Sequence, residues 1–161
     1  MAAYLFIEGI KGESKDAGHE GWINLISVDQ AIHRPMAGGT SGAARHRSSV
    51  IFDDVVVMKE ADASTPKLAE AIADGKSFPT VKIDLCTSSE GGKRIPYLQW
   101  ELKNVRVTDY NLSATGDEGA PPTEQLAFNF EEIKQVYDKL DKQNKSQGKV
   151  EYTWKVEEGT A

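Results

Sequence analysis

The stretch STPKLAEAIADG, residues 64–75, carries the start, the body and the stop of a helix. Ser64 or Thr65 can cap the first turn, and Pro66 suits the first helical position. Leu68, Ala69 and Ile72 form an apolar stripe, and Gly75 can take the left-handed conformation that ends the helix. The spacing predicts a helix over about Thr65–Asp74 whose outer face carries Lys67, Glu70 and Asp74. The sequence on either side is patterned for strands, so this lone helix narrows the fold to a mainly β domain with one short α-helix.

Working outward, residues 3–10 make an apolar segment closed by a Gly-rich turn, and residues 22–28 read as a second strand with Trp22, Ile26 and Val28 in phase. Residues 30–49, QAIHRPMAGGTSGAARHRSS, are too rich in Gly, Ala and Ser to bury much and form a long loop. The following VIFDDVVVM, residues 50–58, is apolar on both parities around Asp53 and Asp54. Such a strand needs cover on both faces.

Beyond the helix, Val81, Ile83 and Leu85 alternate with polar residues as in a half-buried strand. Leu98, Trp100 and Leu102 hold one parity while Val105 and Val107 hold the other. A parity change near Asn104 predicts a bulge or bend, as where a strand crosses from one sheet to the next. Leu126, Phe128 and Phe130 restart the alternation after a turn-rich stretch. Ile133, Val136, Tyr137 and Leu140 slightly favour a helical stripe, and Val150, Tyr152, Trp154 and Val156 mark a final strand. Seven or eight strands suffice for a small closed β-barrel of two packed antiparallel sheets, with the helix on its side.

The chain has 161 residues, enough for a single domain over 1–161 with a real core. A net charge of -6 gives no electrostatic footprint for nucleic acid or an anionic membrane. Cys86 is the single cysteine, so no intrachain disulfide forms, which points to a reducing compartment. The start, MAAYLFIEGIKGES, reads as neither a cleaved signal peptide nor a membrane span, because its apolar run is short and no basic leader precedes it.

The search for chemistry returns no catalytic constellation. His19, His33 and His46 lack a second ligand at metal-site spacing and read as exposed loop histidines. Cys86 has no evident basic activator and reads as a buried or half-buried thiol. Asp53 and Asp54 are adjacent and would point to opposite faces of a strand. Neither Gly38-Gly39 nor Gly91-Gly92 has the context of a phosphate loop. No cofactor, metal or catalytic residue is expected.

Several segments together resemble the haemolysin-coregulated protein family, Hcp, the tube protein of bacterial type VI secretion systems. The resemblance rests on GIKGESKDAGHEGWINLISV at 9–28, DASTPKLAEAIADGKSFPTVKIDL at 62–85, YLQWELKNVRVTDY at 97–110, TEQLAFNFEEIKQVY at 123–137 and VEYTWKV at 150–156. It implies a small β-barrel, six copies of which close into a ring, with rings stacked into a tube. It further implies that the tube is expelled by a contractile sheath behind a spike protein and carries effector proteins in its lumen. Such a subunit would leave the bacterial cytoplasm without a signal peptide and would insert in no membrane. It also turns the ambiguous segment at 131–137 into strand, continuous with the one before it.

Three sets of residues are then expected to serve assembly. Val50, Phe52, Val56 and Met58 would meet a neighbouring subunit, since a closed ring joins two different patches head to tail. Arg34, Arg45, His46 and Arg47 give the long loop a basic character suited to an acidic surface of the next ring. Ser27 and Asp29 are the candidates for the channel wall. A competing reading is a stand-alone barrel or sandwich that binds carbohydrate on Trp22, Trp100 and Trp154. Against it, Trp100 and Trp154 are in phase with aliphatic core positions.

Overall fold

The computed structural model describes residues 2–35 and 50–156. In chain order these form β1 (Ala2–Ile7), β2 (Ile23–Leu25), β3 (Ser27–Asp29), β4 (Ile32–His33), β5 (Ile51–Phe52) and β6 (Val55–Glu60). Then come helix α1 (Thr65–Asp74), β7 (Ser77–Ser88), β8 (Arg94–Ser113), β9 (Thr123–Asn129), β10 (Glu132–Leu140) and β11 (Ser146–Lys155). The strand count exceeds the expected seven or eight because three segments read as single strands are each divided, 22–28, 50–58 and 123–137, and because β4 lies within residues 30–49, read as a loop, where Ile32 and His33 find partners in β5. Residues 22–28 break at Ile26, whose N–H donates to the Met58 carbonyl while the chain passes from β1 to β6. Residues 50–58 break at Asp53 and Asp54, between the β4–β5 ribbon and β6.

All ladders are antiparallel, in a nine-stranded sheet ordered β2-β1-β7-β8-β9-β6-β3, with β10 on β8 and β11 on β10. β4 and β5 form a separate two-stranded sheet. The expected pair of packed sheets is thus one large sheet and a small ribbon. The terminal strands of the large order, β2 and β3, share no ladder, so closure into a barrel is not part of the pairing pattern.

β8 explains how one sheet makes two walls. Its residues 98–103 pair with β10, and from Arg106 onward the same strand pairs with β9. Between them Asn104 has φ 50, and Leu102 and Val105 on either side are both buried. This is the parity change read from the sequence, and it marks the corner. The break between β9 and β10, where a single long strand is expected, falls at the facing position. There the Asn104 side-chain amide donates to Glu131 at 2.7 Å. Residues 132–140 are strand, not the helix their periodicity favours.

The core lies between the walls. Leu5, Ile83, Leu102 and Ile133 come from one side and Val57, Leu126 and Phe128 from the other, all fully buried. Each such side chain contributes about 1.5–3 kcal/mol relative to exposure. The helix adds Leu68 and Ala71; Ala71, not the expected Ala69, takes the buried position, one turn from Leu68.

The helix ends as read, with Gly75 at φ 64, but its start differs. Ser64 makes no side-chain cap bond, and its hydroxyl turns to the Asp62 carboxylate. Thr65 accepts from the Asp62 N–H at 2.9 Å and donates to Glu124 at 3.0 Å. Lys67, Glu70 and Asp74 lie on the exposed side.

Candidate assembly surfaces

The wall made by β3, β6, β9 and the later half of β8 presents a face to the outside whose composition follows from its register. Asp29, Val56, Ala127 and Asp109 form one row across the four strands. Ser27, Met58, Gln125 and Asn111 form the next, and Glu60, Thr123 and Ser113 a third. Alternation sends Val55, Val57 and Lys59 inward and leaves these rows outside. The register therefore puts Val56 and Met58, expected at a subunit contact, on the same face as Ser27 and Asp29, expected at a channel. These are one surface, a relation that pairing determines and that sequence position did not reveal.

Behind this face sits a buried polar group. Lys59, on the inner parity of β6, is wholly buried and ion-pairs with the equally buried Glu124 and with Asp62 at 2.9 Å. The other Glu124 oxygen accepts from the Tyr110 hydroxyl at 2.6 Å. Burial first, then the hydrogen bond to Glu124 and its negative charge, push the Tyr110 phenol up to about 12. The network ties β6, β8 and β9 to the start of α1. Its sequence signal is a lysine and a glutamate each in phase with core residues.

The base of the long loop is a second surface. β4 and β5 pair Ile32 with Phe52 and His33 with Ile51, and the exposed His33 ring lies 2.8 Å from Asp53. Phe52, expected to meet a neighbouring subunit, is half-buried within the chain, where it stacks on Trp154 and meets Phe130 edge-on. It covers part of the inner face of β11, an edge strand. Gln30 accepts from the Trp100 indole at 3.1 Å beside it. Val50 is half-buried and Arg34 exposed, while Arg45, His46 and Arg47 lie outside the described residues.

A third group overturns the reading of His19 as an exposed loop residue. His19 is buried, 2.6 Å from Asp16 and 2.9 Å from Asp84, stacked on Tyr4 and edge-on to Trp22. Its ring nitrogen also lies 3.8 Å from the Cys86 sulfur. Spacing along the chain missed this because Asp84 and Cys86 come from β7, far from the 9–22 turn. Burial and the negative charges of Asp84 and Asp16 push the thiol up to about 12, so it stays protonated at neutral pH. The arrangement fastens the turn to the sheet rather than activating a nucleophile.

Trp100 is buried, Trp154 lies under Phe52 and Trp22 packs against His19 and Phe6, so the three indoles form no shared exposed platform. Among the described residues no cluster of three side chains has the geometry of a metal site. No helix among them is long and apolar enough to cross a membrane.

Comparison with known proteins agrees with this geometry. The family model described as "Type VI secretion system effector, Hcp" matches residues 4–137. A solved structure of a type six secretion system protein shares 26% identity and a TM-score of 0.87, covering 99% of this chain and 98% of its own. Hcp1 from Salmonella typhimurium shares 22% identity at a TM-score of 0.77, covering 99% of this chain and 97% of its own. A type VI secretion system effector from Yersinia pestis shares 21% at 0.75, covering 96% and 99%. No curated protein matches.

Proposed function

The chain belongs to the Hcp family of type VI secretion proteins, and from that premise we propose that it is a tube subunit whose copies close into six-membered rings. The rings stack into the inner tube, which a contractile sheath expels behind a spike protein with effectors in its lumen. The subunit leaves the bacterial cytoplasm by this route and needs no signal peptide. Its role is structural, and the protonated, buried state of Cys86 favours that reading over a thiol-based activity.

The observation that carries the ring is the wall of β3, β6, β9 and β8. Among the described residues, β3 at one margin pairs only with β6, and β8 beyond Arg106 at the other pairs only with β9. Unpaired strand edges at both margins of one wall suit head-to-tail repetition, in which different patches of successive copies meet and the rotation closes. Ile26, exposed and bonded to β6, stands at the β3 margin, and Leu112, also exposed, at the β8 margin.

With the edges given to neighbours, the outer face of the wall lines the channel, and Ser27, Asp29, Val56 and Met58 belong to it together. The loop between β4 and β5, with Arg34, Arg45, His46 and Arg47, reaches the adjacent ring. Native mass spectrometry of the purified protein at micromolar concentration should give a mass of six chains. A strictly monomeric species there would overturn the tube reading.

A further inference from the structure

We infer that the outer face of the β3–β6–β9–β8 wall selects protein cargo with a basic surface, a step that rests on reading this face as the channel wall. Asp29, Glu60 and Asp109 lie on it, exposed; these three rows contain no lysine or arginine, and the row beyond them holds the exposed Arg106 beside Asn129, whose amide donates to Asp54. None of the three carboxylates has an ion-pair partner among the described residues. The opposite outer face, on β7, β8, β10 and β11, is built differently. There Lys103 pairs with Glu101 and Lys134 with Glu151, so charges of both signs offset one another.

Placement adds to the sign of the charge. Asp29 and Asp109 end a single row about 14 Å wide, with Val56 and Ala127 between them. A lysine or arginine of a cargo protein can lay its methylene stem along this apolar centre and bring its charged head to either carboxylate. Repetition around a ring multiplies the unpaired charges, and a channel walled by protein focuses their field inward. An acidic cargo surface meets the same field as repulsion.

The assembled protein, titrated into fluorescein-labelled decalysine and decaglutamate and followed by anisotropy, tests this directly. Native mass spectra of the same samples report the ring. Decalysine should bind and decaglutamate should not. The pair Asp29→Asn and Asp109→Asn should weaken decalysine binding by roughly tenfold. The pair Glu8→Gln and Glu90→Gln, which removes the same charge from the exposed turns that follow β1 and β7, outside the four wall strands, should leave it within about twofold. Equal weakening by both pairs, or binding of decaglutamate, overturns the inference while six-chain masses leave the ring standing. Monomer masses with the wall-specific loss overturn the channel and support the charge preference.

Discussion

Lys59 and Glu124 form an ion pair with neither side chain exposed to solvent, at the point where β6 and β9 meet the first turn of the helix. Removing one member leaves the other charged, buried and unmatched. Lys59→Met should therefore destabilise the protein by about 3–5 kcal/mol, read as a shift of the urea midpoint. Lys59→Met combined with Glu124→Leu should recover part of that loss. A single variant as stable as the parent would show that the pair does not hold the wall to the helix.

The same carboxylate makes Tyr110 a marker for alkaline pH. The phenol's ordinary value is 10.0, and the fold pushes it up to about 12, so between these values the folded chain holds a proton that the unfolded chain releases. The contribution to stability is present in full below pH 10.0 and is lost as pH rises through about 12. Tyr110→Phe should remove this component from the pH dependence of the denaturation midpoint. Cys86, raised from 9.0 to about 12, adds an alkaline component that both proteins share, so their difference isolates the phenol.

His19 is the clasp between the 9–22 turn and β7. His19→Ala leaves Asp16 and Asp84 without their imidazole partner and should cost about 2–4 kcal/mol, measured by thermal or chemical unfolding. Reaction of Cys86 with a thiol reagent gives an independent readout. The native protein should resist labelling because the thiol is both buried and protonated, and the variant should label faster as the turn lifts. Unchanged labelling in a destabilised variant would place the effect elsewhere than at this contact.

Gly12 stands against the chain that follows it. A Cβ placed there would lie 2.5 Å from both the Ile23 Cα and the Trp22 carbonyl oxygen, which are backbone atoms with little room to yield. Gly12→Ala should lower the thermal midpoint, with a cost of about 1–3 kcal/mol for forcing the turn off β2. A midpoint unchanged within error would mean that the turn has an alternative seat.

The parts of this fold legible in the sequence are those set by neighbours along the chain. The Gly75 stop needs only a residue at ease with positive φ, and the corner at Asn104 shows as a switch of parity within one strand. What escaped detection depends on partners far away in the chain. The break at Ile26 exists because β2 and β3 bond to different strands, and His19 is buried because Asp84 arrives from β7. The contact of Phe52 with Trp154 was hidden because Trp154 comes from the last strand. That Ser27 and Val56 share a face was hidden likewise, since this is a property of register alone.

The basic loop offers the sharpest separation between ring and tube. Its stem, β4 and β5, is anchored inside each copy by Phe52 on Trp154, so charge changes beyond the stem need not disturb the fold. Arg45 and Arg47 lie outside the described residues and give the loop its positive charge in a chain of net charge -6. Replacing both by Glu should leave six-membered rings intact by native mass spectrometry. The same variant should shorten or abolish tubes in negative-stain images, because like charges would then face each other across the ring boundary. Loss of rings together with tubes would instead place the loop within the ring contact, and normal tubes would remove it from assembly altogether.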